Sequence, residues 1–180
     1  GTGASLFGYT SLYGAVPGCQ AERVRVPHAD FGPVKLPAEL PDERFLYLSD
    51  IWPTAWQGVR YADTPEGGTL AVLGLGPVGQ LAVRSAKKQG VARVIGVDLV
   101  PKRLELARQH GAETLDLRET RDAAAALADL TDGRGPDAVL EAVGMEAHGN
   151  PVAERVIGAV SHLPKPVARK AIETAGIDRL

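Results

Sequence analysis

From residue 69 onward, short apolar runs alternate with segments of helical period, in the order expected of an α/β domain. Leu70-Ala71-Val72-Leu73 is apolar throughout, the pattern of a strand buried on both faces. A glycine-rich bend follows over 74–79. A helical stretch over 80–89 then ends at Gly90, a residue suited to the left-handed turn after a helix. Residues 93–98 predict a second strand. Residues 101–110 predict a helix with proline near its start and Gly111 after its end. A short strand is expected over 113–117, and then a helix over 121–130 capped by Thr120. A turn over 132–136 leads to a fourth strand over 138–143, which Gly144 ends. Regular alternation of this kind implies parallel βαβ units with right-handed crossovers.

The residues on either side lack that rhythm. Residues 1–20 are rich in glycine and aromatics without a period and read as loop. Residues 21–26 alternate apolar and polar up to Pro27, which predicts a half-buried strand, and 33–37 predict a second short strand between prolines. Pro41-Asp42-Glu43 opens a helical segment whose first turn is acidic, as the helix dipole favours. Phe45, Leu48 and Trp52 continue it at helical spacing. Pro53 breaks or restarts the run, and Trp56, Val59, Tyr61 and Ala62 carry a second helix to the turn at 64–68. Helices are expected over 154–160 and 168–174, with no fifth buried strand in the sequence.

Composition narrows the classes. With 20 basic and 22 acidic residues the net charge is −2, which gives no electrostatic footprint for nucleic acid or a membrane surface. No apolar run approaches the roughly 18 residues that a bilayer span needs, and no signal peptide is visible. The single cysteine, Cys19, excludes an internal disulfide framework and fits a reducing cytoplasm, and the thiol reads as buried or merely tolerated.

Gly74-Leu75-Gly76-Pro77-Val78-Gly79 matches the G-x-G-x-x-G pattern in the setting that gives it meaning: a buried strand before it, a helix from about Pro77, and Asp98 closing the next strand. Gly74 permits a tight turn, Gly76 lets a pyrophosphate approach the backbone, and Gly79 lets helix and strand pack closely. The helix start offers free N–H groups and a positive dipole end to the phosphates. Pro77 gives up one N–H but suits the first helical turn. Asp98 is placed to accept from both hydroxyls of the adenosine ribose and to repel a 2′-phosphate. That favours NAD over NADP, despite Lys102 and Arg103 nearby. The same glycines could also serve only a compact βαβ turn.

The string Leu46-Tyr47-Leu48-Ser49-Asp50-Ile51-Trp52-Pro53-Thr54-Ala55-Trp56, followed by the glycine bend, resembles the zinc-containing medium-chain alcohol dehydrogenases. Within them it is most similar to the glutathione-independent formaldehyde dehydrogenase branch. Leu6-Phe7-Gly8-Tyr9-Thr10, Gly133-Arg134-Gly135-Pro136-Asp137 and the string from Glu141 to Gly149 support that branch. The resemblance implies an incomplete Rossmann-type, doubly wound parallel sheet preceded by the end of a chaperonin-10-like β domain. On this mapping 1–40 close the catalytic β domain, 41–68 are connecting helices, and 69–180 form a truncated NAD-binding domain with an inserted loop at about 145–176. Both chain ends read as cut.

The resemblance further implies zinc- and NAD-dependent oxidation of formaldehyde or a small alcohol or aldehyde, in a cytoplasmic homo-oligomer that binds neither nucleic acid nor membrane. Asp50 alone reads as a helix-start or solvent carboxylate. In the matched string it stands where the branch has a catalytic-zinc ligand. The partner cysteine and histidine and the proton-relay hydroxyl are expected upstream of Gly1, so this segment alone is expected to be inactive. Val78, Asp98, Arg103 and Val143 match cofactor-contacting positions, Arg103 either stacking on adenine or pairing with Asp98. His148 is carried over as a cofactor-facing position, although His148 and Asn150 depart from the Arg and His of relatives. His28, His110 and His162 have no partner at metal spacing, and Glu22 and Glu141 are expected on strands with local pairing only. A polyol or other alcohol dehydrogenase of the same fold, or an inactive NAD-binding piece, are the alternatives.

Overall fold

The computed structural model describes residues 5–120, 122–144, 164 and 167. The chain divides into two compact units, Gly1–Arg44 and Phe45–Leu180. The helices expected over 154–160 and 168–174, and the inserted loop, lie outside the described residues.

In the second unit, β1 (Thr69–Leu73), β2 (Arg93–Asp98), β3 (Glu113–Asp116) and β4 (Ala138–Glu141) form one parallel sheet in the order β3-β2-β1-β4. Ala71 of β1 pairs in register with Ile95 of β2 and Val139 of β4, so β1 is hydrogen-bonded on both sides. Between the strands run α2 (Pro77–Lys88), α3 (Pro101–Gln109) and α4 (Ala123–Asp129), while α1 (Ile51–Ala62) precedes the sheet. Because strand side chains alternate between faces, β1 serves two cores. Leu70 and Val72 join Val94, Val83, Ala86, Leu104 and, from α1, Ala55 and Val59. Ala71 joins Ile95, Val97 and Leu127 of α4 on the other face, with Leu73, Leu115 and Leu117 packed alongside. The expected doubly wound α/β architecture is what forms.

Three boundaries differ from the sequence reading for local reasons. The segment expected to be helical from Pro41 is only a 3-10 turn, Asp42–Phe45, and the α-helix starts at Ile51. Pro53 then sits in the first turn of α1, where its missing N–H has no intrahelical acceptor to lose, so it restarts the run. The cap of α4 is Asp122, whose Oδ1 accepts from Ala125 N at 3.0 Å; Thr120 instead bonds the backbone of Asp122. Strand β4 ends at Glu141 rather than 143, because that carboxylate accepts from the N–H groups of Val143 and Gly144 and turns the chain.

In the first unit the two expected strands are absent. Residues 21–26 and 33–37 form no ladder, Glu22 therefore lies on no strand, and Val24, Val26, Val34 and Leu36 are exposed. Alternation specifies a strand only where a partner takes its N–H and C=O groups, and no described segment does so here. The pairing seen is the isolated bridge between Phe7 and Val16. His28 holds a left-handed turn at φ 54°, and Cys19 is exposed, which leaves the merely tolerated thiol of the two alternatives.

Candidate functional site at the glycine bend

The bend between β1 and α2 lies at the C-terminal ends of the parallel strands, where open α/β sheets place their ligand crevice. Gly74 adopts φ +84°, and a side chain there would come within 2.9 Å of Val143. Its N–H donates to Val97 O at 2.8 Å, which ties the bend to β2. At Gly79 a Cβ would sit 1.9 Å from the carbonyl oxygen of Gly74, so only glycine lets α2 pack against the bend. Gly76 differs: a Cβ there meets nothing within 4 Å. Open space over Gly76 is where a phosphate could approach the backbone.

Gly76 is the N-cap of α2 and Pro77 its first residue. The first bond of the helix runs from Gln80 N to Gly76 O at 2.9 Å. The N–H groups of Val78 and Gly79 are therefore without an intrahelical acceptor, at the positive end of the dipole. Leu75, between the first two glycines, is fully buried and lies over Gly96 of β2; a Cβ at Gly96 would be 2.9 Å from Leu75 Cδ2.

Asp98 sits beside the bend. It is 7% exposed, its Oδ2 accepts from Leu75 N at 2.6 Å, and its Oδ1 accepts from Leu99 N and Val100 N at 2.7 Å each. Three backbone donors take most of a carboxylate's roughly four lone-pair directions. About one direction is left open. Arg103 Nη1 lies 3.8 Å from Asp98 Oδ2, and its side chain is half exposed. The pairing alternative for Arg103 is therefore present as a loose contact. Val143 borders Gly74 and is exposed.

At the rim, Asp116 stands in register with Asp98 at the end of β3. Hydrogen bonds from the Arg118 guanidinium, and then from its backbone N–H, hold the Asp116 carboxyl at about 2, below the usual range. Gln80 is a site residue that the sequence reading missed. Its Nε2 donates to Leu75 O at 3.1 Å and to Arg103 O at 2.7 Å. The available signal was a long amide placed directly after the third glycine.

The remaining candidates fall elsewhere or outside the described residues. Asp50 is the N-cap of α1 without capping through its side chain, and its Oδ1 accepts from Thr54 Oγ1 at 2.9 Å on the surface. Among the described residues no three His, Cys, Asp or Glu side chains gather into a group that could hold a metal ion. His148 lies outside the described residues, as does His162. His110 ends α3. No helix among the described residues is long and apolar enough to cross a membrane.

Sheet order, two-faced core and glycine bend together define a Rossmann-type α/β unit. A family profile described as zinc-binding dehydrogenase matches residues 77–153. A zinc-type alcohol dehydrogenase-like protein of Schizosaccharomyces pombe is 38% identical over 164 residues, covering 89% of this chain and 38% of that protein. A glutathione-independent formaldehyde dehydrogenase of Pseudomonas aeruginosa is 40% identical over 148 residues, covering 80% of this chain and 37% of that protein. Among solved structures, an alcohol dehydrogenase from Thermus sp. ATN1 superposes with a TM-score of 0.70 at 36% identity, covering 78% of this chain and 41% of that one. Over most of its length the chain is similar to zinc-type alcohol dehydrogenases. It spans less than two-fifths of the length of the two relatives described.

Proposed function

We propose that this chain supplies the NAD-holding part of a dehydrogenase acting on formaldehyde or another small alcohol or aldehyde. The observation that carries the reading is the Asp98 carboxylate, hydrogen-bonded at 2.6 Å to the Leu75 N–H inside the bend, beside the open space over Gly76. Diphosphate would lie over Gly76 and face the N–H groups of Val78 and Gly79. Asp98 would accept from an adenosine ribose hydroxyl, and its charge would oppose a 2′-phosphate, which favours NAD over NADP. Val143 would border the cofactor where the crevice opens. When bound, NAD supplies a hydride acceptor; the protein's share is to hold and orient it.

The match to the zinc-binding dehydrogenase profile supports zinc in the whole enzyme, and the formaldehyde dehydrogenase relative supports the substrate class. Asp50 is offered as one zinc donor, since a carboxylate suits that metal beside sulfur and nitrogen ligands. One carboxylate cannot hold catalytic zinc, so turnover by this segment alone is expected to be nil. An assay of NADH formation from formaldehyde or ethanol checks that expectation.

The cofactor reading is tested by calorimetric titration of NAD into the chain and into Gly76→Val. Gly76 has an extended backbone, φ −67° and ψ −168°, which valine also adopts, so the variant should fold with nearly unchanged stability. Its isopropyl group would fill the space over the bend and weaken NAD binding by at least about tenfold, the scale of 1.4 kcal/mol. Equal binding by the two proteins would sink the proposed seat for the diphosphate.

A further inference from the structure

Gln80 closes a circuit around the crevice. Its Nε2 donates to the carbonyl of Leu75, in the bend, and to that of Arg103, in the first turn of α3. The N–H of Leu75 donates to Asp98 Oδ2, and that same oxygen lies 3.8 Å from Arg103 Nη1. The loop of contacts therefore runs from Asp98 through the Leu75 backbone and the Gln80 amide to Arg103, and back to Asp98. The amide orientation is fixed by chemistry. Both neighbours are carbonyl oxygens, which only the NH2 end can satisfy. Gln80 Oε1 is left buried without a partner. An unpaired buried acceptor costs stability, so this side chain is an expensive way to join a helix to a loop if packing were its only task.

We propose that Gln80 is a positioning residue for cofactor choice. It fixes the backbone of α3 against the bend, so that Asp98 faces the sugar edge and the Arg103 guanidinium stays directed toward Asp98. Arg103 held in that way is not free to meet a 2′-phosphate. Without the clamp, α3 loses its tie to Leu75, Asp98 loses its fixed bearing on the ribose, and Arg103 can turn outward to a phosphate. Gln80 thus acts through Asp98 and Arg103, and its signature is the ratio of NAD to NADP affinity. The inference rests on the cofactor reading above.

The test is titration of NAD and of NADP into the unsubstituted chain and into Gln80→Met, which keeps the length and removes both donated bonds. The expected result is an NAD Kd raised about tenfold, the scale of one lost hydrogen bond. The NADP Kd should stay within about twofold or improve, so the preference for NAD shrinks. Parallel losses for the two nucleotides, or no change in either, would overturn the positioning role while leaving the cofactor reading intact. An unsubstituted chain that takes up neither nucleotide overturns both.

If Gln80→Met does not fold, the side-chain amide of Gln80 is followed by NMR in the unsubstituted chain. Slow exchange with water, and a shift on adding NAD that NADP does not reproduce, would support the role. Fast exchange, or an identical response to the two nucleotides, would overturn it.

Discussion

The segment over 21–26, which alternates apolar and polar, and β1, which is apolar from Leu70 to Leu73, both read as strands in the sequence, yet only β1 becomes one. Val24 and Val26 alternate with Arg23 and Arg25 and stay exposed. Leu70, Ala71 and Val72 are wholly buried between two cores, with β2 on one side and β4 on the other. The difference is not propensity, since valine suits either segment. It is the supply of partners. β1 finds its neighbours within the next seventy or so residues through short βαβ connections, whereas the segment at 21–26 has no ladder partner among the described residues. A strand is a property of a sheet more than of a stretch of chain.

Substitutions can break or sharpen that contrast. The largest effect is expected from Gly79→Val, because its Cβ would lie 1.9 Å from a backbone oxygen that cannot yield. A loss of about 3 kcal/mol or more, seen as loss of cooperative unfolding in urea, is expected. Leu70→Ala should cost about 3 kcal/mol by removing a fully buried side chain from the larger core, as read from the denaturation midpoint.

A smaller and pH-bound effect is expected at Asp116. Its folded pKa is depressed to about 2 by Arg118, so the pair contributes stability that is fully present above the ordinary carboxylate value of 3.8 and is lost as pH falls through that window. In Asp116→Asn that part of the acid dependence should vanish, with the neutral-pH midpoint little moved because the Arg118 side chain is half exposed and its charge is screened by water. A variant whose acid limb matched the unsubstituted chain would contradict this.

The smallest effect is expected at Val34→Ser. Val34 is 83% exposed in a segment that reads as a strand and is not one. Its substitution should move stability by no more than about 0.5 kcal/mol. A larger loss would show that the segment is paired in solution.

What the sequence made legible follows the same division. The four strands, their helices and the glycine bend could be read because each carried a local signal: an apolar run, a proline near a helix start, a glycine after its end. The close packing at Gly79 and the adjacency of Asp98 to the bend were readable from the fingerprint. The detailed state of Asp98 was not. That Leu99, Val100 and Leu75 donate to its two oxygens depends on how the chain leaves β2, which no side-chain pattern encodes. Gln80 escaped for a related reason: both its acceptors are main-chain carbonyls, and any residue type provides those. Asp50 could be nominated only by resemblance, because its observed partner, Thr54, is one open to any helix-start carboxylate.

The seating of Leu75 over Gly96 carries a consequence for how such chains can diverge. The two positions share a single volume, with a hypothetical methyl group at 96 lying 2.9 Å from the leucine tip. Neither can enlarge alone, but a gain at one is tolerable if the other shrinks. Across descendants of this lineage, alanine or bulkier at 96 should travel with valine or alanine at 75, a paired inheritance that random drift at independent sites would not produce.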